Sequence, residues 1–260
     1  MKRIMISNLC SLGFVVGLFL MGAMVPAFAA EQGGSVPNFG PDGNTAWVPD
    51  RPAGDDFLPL PSGPGPVTSE RGHPYVPNGQ GQSTFRVADL SNPILKPWAV
   101  AQMRKANDEV LAGKIPFTAR ERCWPGGVPD IDIYERDRPI YFVQAPKEVV
   151  IVTEHDQQVR HIYLDVPHSA NPALSWYGES GGHYEGDTLV VDTIGLNDKT
   201  FVDNYRTPHT TALHVVERFN IIDGGKTLQA IVTVDDPSAL NTTWSAMQRW
   251  RRREGSPFSN

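Results

Sequence analysis

The chain has 260 residues, of which 40% are hydrophobic, and its 23 lysines and arginines against 29 aspartates and glutamates give a formal charge of −6. That length is enough for one sizeable core. The acidic balance excludes the basic footprint of a nucleic-acid-binding protein, and the two cysteines, Cys10 and Cys123, exclude a disulfide-built scaffold.

Lys2 and Arg3 precede an apolar run from Leu12 to Val25, followed by Ala27-Phe28-Ala29 with the small-x-small spacing of a signal-peptidase site. Residues 1–29 therefore read as a cleaved signal peptide. The apolar run is well short of the roughly 20 residues that span a bilayer. Cleavage removes Cys10 and two positive charges and leaves an acidic, periplasmic or secreted protein with no membrane segment and no internal disulfide.

Residues 31–80 contain ten prolines and nine glycines, which neither helix nor sheet interior tolerates. Residues 30–92 are thus expected to form an extended arm. Its Phe39, Trp47, Phe57, Leu58, Leu60 and Tyr75 suit it to wrapping the domain or a neighbouring subunit, so the arm is a candidate for joining a homo-oligomer.

From Lys96 the pattern changes. Pro97 suits a first helical turn, Val100, Met103, Val110 and Leu111 fall at helical spacing, and Gly113 is placed to end the element, predicting a helix over 97–112. Residues 123–129, Cys-Trp-Pro-Gly-Gly-Val-Pro, form a loop in which Cys123, with no histidine nearby in sequence, reads as a buried or inert thiol.

Beyond about 138 eight strands are expected: Ile140–Gln144, Glu148–Glu154, Val159–Asp165, Leu174–Tyr177, Thr188–Ile194, Leu213–Ile222, Thr227–Asp235 and Thr243–Arg252. Their spacing, their hairpin turns and the lack of intervening helices predict a mainly β domain over 93–260, an antiparallel meander closed as a calycin-like barrel. The Arg249, Arg251, Arg252, Arg253 cluster reads as the solvated face of the last strand.

The strings Trp176-Tyr177-Gly178-Glu179-Ser180, Glu185 to Thr193 and Pro208-His209, followed by Leu213 to Phe219, resemble a group of signal-bearing secreted bacterial proteins over about 93–252. The resemblance implies a shared secreted β-fold and brings no activity with it. A fainter similarity to lipocalin-type barrels rests on the meander alone.

The segment Ser175–Phe219 holds three of the seven histidines and is where function is expected. Strand alternation puts Leu213, Val215, Glu217 and Phe219 on one face and His214, Val216 and Arg218 on the other. If the first face is internal, Glu217 lies among apolar side chains that would raise its pKa; if the second, His214 and Arg218 are internal. Asp192 shares a face with Val190 and Ile194. An ion pair of either acid with Arg218 or Arg160 is the purely structural reading.

His209, in a Pro-His-Thr turn with Asp203 nearby, is expected at a barrel rim as an acid or base, and His168 occupies a similar Pro-His-Ser turn. Catalytic candidates are thus His209, Glu217, Asp192 and Asp203; ligand-binding candidates are His168, Trp176, Tyr177, Glu179, His214 and Arg218. Gly178 to Gly182 has the letters of a nucleophile elbow around Ser180 but not its strand-turn-helix setting. No metal-ligand spacing and no nucleotide-binding glycine loop is present, so no cofactor is expected.

Together these features predict a protein that binds a small, partly apolar or aromatic organic molecule inside a β-barrel and performs cofactor-free acid–base chemistry of lyase, dehydratase or isomerase type. The alternatives are a non-catalytic carrier, a metal-dependent hydrolase or lyase, and a structural protein that grips a partner with the arm.

Overall fold

The computed structural model describes residues 35–40, 45–50, 57–73, 86–119, 122–129, 139–154 and 158–253, all within one compact unit, Gly33–Asn260. The signal-like segment 1–29 lies outside the described residues. The strands are β1 (Ala46–Pro49), β2 (Leu58–Pro59), β3 (Ile140–Ala145), β4 (Glu148–Thr153), β5 (Val159–Leu164), β6 (Glu179–Glu185), β7 (Thr188–Ile194), β8 (His214–Ile222), β9 (Thr227–Asp235) and β10 (Trp244–Arg253); the helix α1 is Pro97–Leu111.

Nine of these strands close a barrel in the order β1-β3-β4-β5-β6-β7-β8-β9-β10 and back to β1, with β2 added along β10. Closure leaves the nine without an open edge. The Pro/Gly arm therefore contributes a barrel strand: Ala46 to Pro49 pair with Arg253 to Trp250, and Trp47 also with Ile140.

The barrel is mixed and not a pure antiparallel meander. β5 and β6 run parallel, pairing only Tyr163 with Gly181 and Leu164 with Gly182, and residues 165–178 cross back between them. Leu174–Tyr177, expected as a strand, is instead part of this crossover, with Ser175 making a single bridge to Leu196. The true strand, Glu179–Glu185, contains Gly181 and Gly182, a poor strand former by propensity. Tertiary fit selects it: a Cβ at Gly182 would lie 2.7 Å from the Ile162 side chain, so only glycine lets β5 and β6 approach there.

Alternation along the strands fills the interior. Val149 and Ile151, Ile162 and Leu164, Val215 and Phe219, and Leu228, Ala230, Val232 and Val234 are buried. Aromatic rings span the space, Phe39 to Phe142 at 4.8 Å, Phe142 to Phe219 at 5.6 Å and Phe219 to Trp250 at 6.2 Å between centroids. Each such side chain withdrawn from water contributes about 1.5–3 kcal/mol. On β10, Trp244, Ala246, Gln248 and Trp250 point inward while Arg249, Arg251 and Arg253 point outward; Arg252, expected with them on the solvated face, follows the inward alternation and donates to Thr45 Oγ1 at 3.2 Å.

Helix α1 ends within a residue of the expected position, before Gly113 at φ 71°. It buries Ala99, Met103 and Asn107. The Asn107 amide brackets the Ala88 backbone, accepting from its N–H at 2.9 Å and donating to its carbonyl at 3.0 Å. Lys96 N–H and the Trp98 indole donate to Ala239 and Ser238 carbonyls in the β9–β10 connection. The helix is thereby held at the barrel end where β7 and β9 finish and β8 and β10 begin.

Candidate functional site

At that end lies a groove of about 680 Å³ between α1 and residues 198–210 of the β7–β8 connection. Trp98 and Lys105 of the helix, Phe117 and Trp124 of the following loops, and Phe201 and His209 of the connection line it. Phe117 stands edge-on to both Trp124, at 5.7 Å, and Phe201, at 6.1 Å, and Trp124 packs 5.4 Å from Trp176. Trp98, Phe117 and Trp124 each remain more than a third exposed, so ring surface is open to the groove.

His209, 5% exposed, lies in the lining of this groove. Its Nδ1 lies 3.1 Å from the Thr210 carbonyl and so donates to it, which leaves Nε2 to accept the Thr200 hydroxyl proton at 2.9 Å. Burial pushes its pKa below the ordinary imidazole value, outweighing the Thr210 carbonyl and the more distant Asp236 and Asp198 carboxylates. Asp236 fixes the turn, its carboxylate accepting from the Thr210 N–H and, at 3.0 Å, from the Thr210 hydroxyl. The arrangement is a neutral imidazole with a hydroxyl hydrogen-bonded to its basic nitrogen. Gly127, at φ 84°, presses so close that a Cβ there would sit 2.9 Å from Thr200 Oγ1.

The carboxylates expected to partner His209 lie elsewhere. Glu217 is inside the barrel, 2% exposed, where Arg160 Nη1 donates to it at 3.1 Å and Nη2 donates to its other oxygen. Arg160 also donates to Ser180 Oγ at 3.2 Å and Thr193 Oγ1 at 2.9 Å. Thus the first of the two faces is internal, Glu217 is held in a buried ion pair, and Ser180 is buried in a strand instead of standing on a nucleophile elbow. Asp203 is buried beneath the turn it holds, accepting from the N–H of Tyr205 and Thr207 at 2.9 and 3.1 Å and from the Thr207 hydroxyl at 2.7 Å; burial raises its pKa despite these bonds.

Asp192 faces outward. Its Oδ1 takes hydrogen bonds from His168 Nε2 at 2.8 Å and His214 Nε2 at 3.0 Å, and His168 Nδ1 meets Glu179 Oε1 at 3.3 Å. Four expected residues from the crossover, β6, β7 and β8 are thus brought together on the barrel wall. The Ser169 N–H holds the Glu179 carboxyl below its ordinary pKa, helped by His168. Arg218 stands apart on the same wall, paired with Glu185, whose pKa it and His183 draw down to about 2. Among the described residues, no three histidine, cysteine, aspartate or glutamate side chains are placed to hold a metal ion.

Trp176 backs the aromatic wall through Trp124, with Lys199 Nζ 5.8 Å above its ring, while the Tyr177 hydroxyl donates to Gln158. Cys123 is exposed, not buried, in a left-handed turn at φ 55°. Trp98, Phe117, Trp124 and Thr200 escaped the sequence reading because they belong to a helix face and loops whose spacing carries no periodic signal. The exposed tryptophan in a Cys-Trp-Pro-Gly-Gly loop was the one hint available.

Comparison with protein-family models, with curated proteins and with solved structures gave no match.

Proposed function

We propose that this is a periplasmic or secreted protein that binds a small, planar, partly apolar organic molecule in the groove beside α1, with His209 as the proton acceptor at its wall. The carrying observation is a neutral, hydroxyl-paired imidazole in an aromatic-walled groove large enough for such a molecule. A calycin-like ligand site inside the barrel is disfavoured by the tilted and edge-to-face rings from Phe39 through Phe142 and Phe219 to Trp250 that occupy it. The signal-like segment 1–29 supports export.

In this reading Thr200 accepts a proton from a bound acid or hydroxyl group as it passes its own to His209 Nε2, leaving the bound group as its anion and the ring as imidazolium, the proton transfer with which cofactor-free lyase chemistry on a hydroxyl-bearing molecule begins. Carrier function uses the same groove without that transfer.

The test is a fluorescence titration of the mature protein with 8-anilinonaphthalene-1-sulfonate. Saturable single-site binding, weakened about tenfold by Trp124→Ala as befits loss of one aromatic wall, is expected. Non-saturable binding, or binding indifferent to Trp124→Ala, would overturn the reading. For any compound that is turned over, His209→Gln lowers kcat with KM largely kept; a carrier shows no turnover to lose.

A further inference from the structure

The bridge between Phe201 and Pro208 sets Thr200 opposite His209 in the β7–β8 connection. Thr200 Oγ1 and His209 Nε2 are 2.9 Å apart, and both residues line the groove. The direction of that bond is fixed by the other ring nitrogen. Nδ1 meets the Thr210 carbonyl, which can only accept, so Nδ1 carries the proton of the neutral ring and Nε2 takes the hydroxyl's.

The ring is oriented in its turn by a rigid frame. Asp236, 0% exposed, accepts from the Thr210 N–H and hydroxyl, and also from the N–H groups of Ser238 and Ala239 at 2.9 and 3.1 Å. Hydroxyl, imidazole and clamped carbonyl thus follow one another at hydrogen-bond distance. That order is the one that activates a nucleophile, with a base beside it and a third group holding the base. Gly127 keeps a side chain off the hydroxyl, since a Cβ there would lie 2.9 Å from Oγ1 and 3.1 Å from the Trp176 carbonyl. The aromatic rings of Phe117, Trp124 and Phe201 line the same groove and suit a planar acyl or phenol group.

We propose that Thr200 is a nucleophile activated by His209, and that the groove hydrolyses esters of planar aromatic acids or phenols through an acyl-threonine. Thr200 Oγ1 attacks the ester carbonyl carbon as its proton moves to His209 Nε2. The carbon–oxygen bond to the leaving alcohol or phenol breaks, and that oxygen takes the proton from His209. Water, giving a proton to Nε2, then attacks the acyl carbon, and Thr200 Oγ1 leaves and recovers the proton. One ester and one water become one acid and one alcohol, with no cofactor or oxidant. The inference rests on the groove as a binding site and gives the Thr200–His209 pair an acyl carbon to act on.

The test is incubation of the mature protein with p-nitrophenyl acetate, following p-nitrophenolate release and mapping acetyl groups by peptide mass spectrometry after an acid quench. Release faster than in buffer, with acetyl on Thr200, is expected. His209→Gln should slow release by about 10²- to 10⁴-fold, the scale of a lost general base. Thr200→Val should abolish release and Thr200→Ser should retain it. Release no faster than in buffer, acetyl confined to Cys123, Lys105 or Lys199, or release that survives Thr200→Val would each overturn the proposal. The first two are read on the unaltered protein and stand even if a variant fails to fold. Saturable binding of 8-anilinonaphthalene-1-sulfonate without ester cleavage would sink this inference alone, whereas loss of both would sink the groove as a binding site too.

Discussion

Arg160 and Glu217 meet inside the barrel with two guanidinium nitrogens on the two carboxylate oxygens, and neither residue is more than 2% exposed. Ser180 and Thr193 occupy further guanidinium donors and hydrogen-bond each other at 3.0 Å, so the pair ties β5, β6, β7 and β8 together. Removing one partner strands a buried charge. Arg160→Met or Glu217→Leu should each cost about 3–5 kcal/mol, and the double variant much less than their sum. Urea unfolding of the three variants checks this.

His209 gives the acid limb of stability a defined direction. Its folded pKa is lowered below the ordinary value by burial, so the unfolded chain binds the proton more readily. Its contribution to folding is complete above about pH 6.5 and is lost progressively as pH falls toward the lowered folded value. Unfolding midpoints at acid and neutral pH should therefore converge for His209→Gln relative to the unaltered protein. Equal pH dependence in the two would contradict the burial of a neutral ring.

Asp203 separates the value of its hydrogen bonds from the cost of its buried charge. The raised pKa means that its ionised form is disfavoured in the fold, so its electrostatic contribution diminishes as pH rises through the unfolded and then the folded value. Asp203→Ala should cost about 1–3 kcal/mol by leaving the Tyr205 and Thr207 donors unmet. Asp203→Asn keeps an acceptor for those N–H groups without the charge and should cost distinctly less at neutral pH, as thermal unfolding would show.

Gly178 closes the end of the crossover against β7, beside Thr193 and Ile194. It has φ 63°, and a Cβ there would fall 2.2 Å from the Ile194 carbonyl oxygen. Gly178→Ala should destabilise by well over the roughly 1 kcal/mol of an ordinary helix or strand glycine exchange. Reduced protection of β6 amides by hydrogen exchange, with β9 spared, is the expected signature.

Much of the barrel is legible in the sequence because alternation and hairpin turns are local. Asp223-Gly224-Gly225-Lys226 and Glu185-Gly186-Asp187 sit where the strand ends require them. The misplaced strand is instructive: Leu174-Ser175-Trp176-Tyr177 is richer in strand-forming residues than Glu179 to Glu185, yet only the latter has the two glycines that admit Ile162 and the His168 ring. β1 was hidden because Ala46 to Pro49 sit among prolines and glycines, and their place in the barrel is fixed by partners some 200 positions away.

The candidate site was legible by residue but not by grouping. His168, Glu179, Asp192 and His214 were each identifiable, and alternation places Asp192 and His214 on one face only once the inner face is known. The groove was not, because α1 is docked by bonds between residues far apart in sequence, such as Lys96 to Ala239 of the β9–β10 connection, which leave no pattern in sequence.

The most direct measurement is a backbone amide map by ¹⁵N NMR of the mature protein as 8-anilinonaphthalene-1-sulfonate is added. Shifts concentrated on α1, on Phe117 and Trp124, and on residues 198–210 around His209 are the expected result. Shifts centred on the barrel interior at Phe142 and Phe219, or on the His168 and Asp192 wall with the groove silent, would contradict the account.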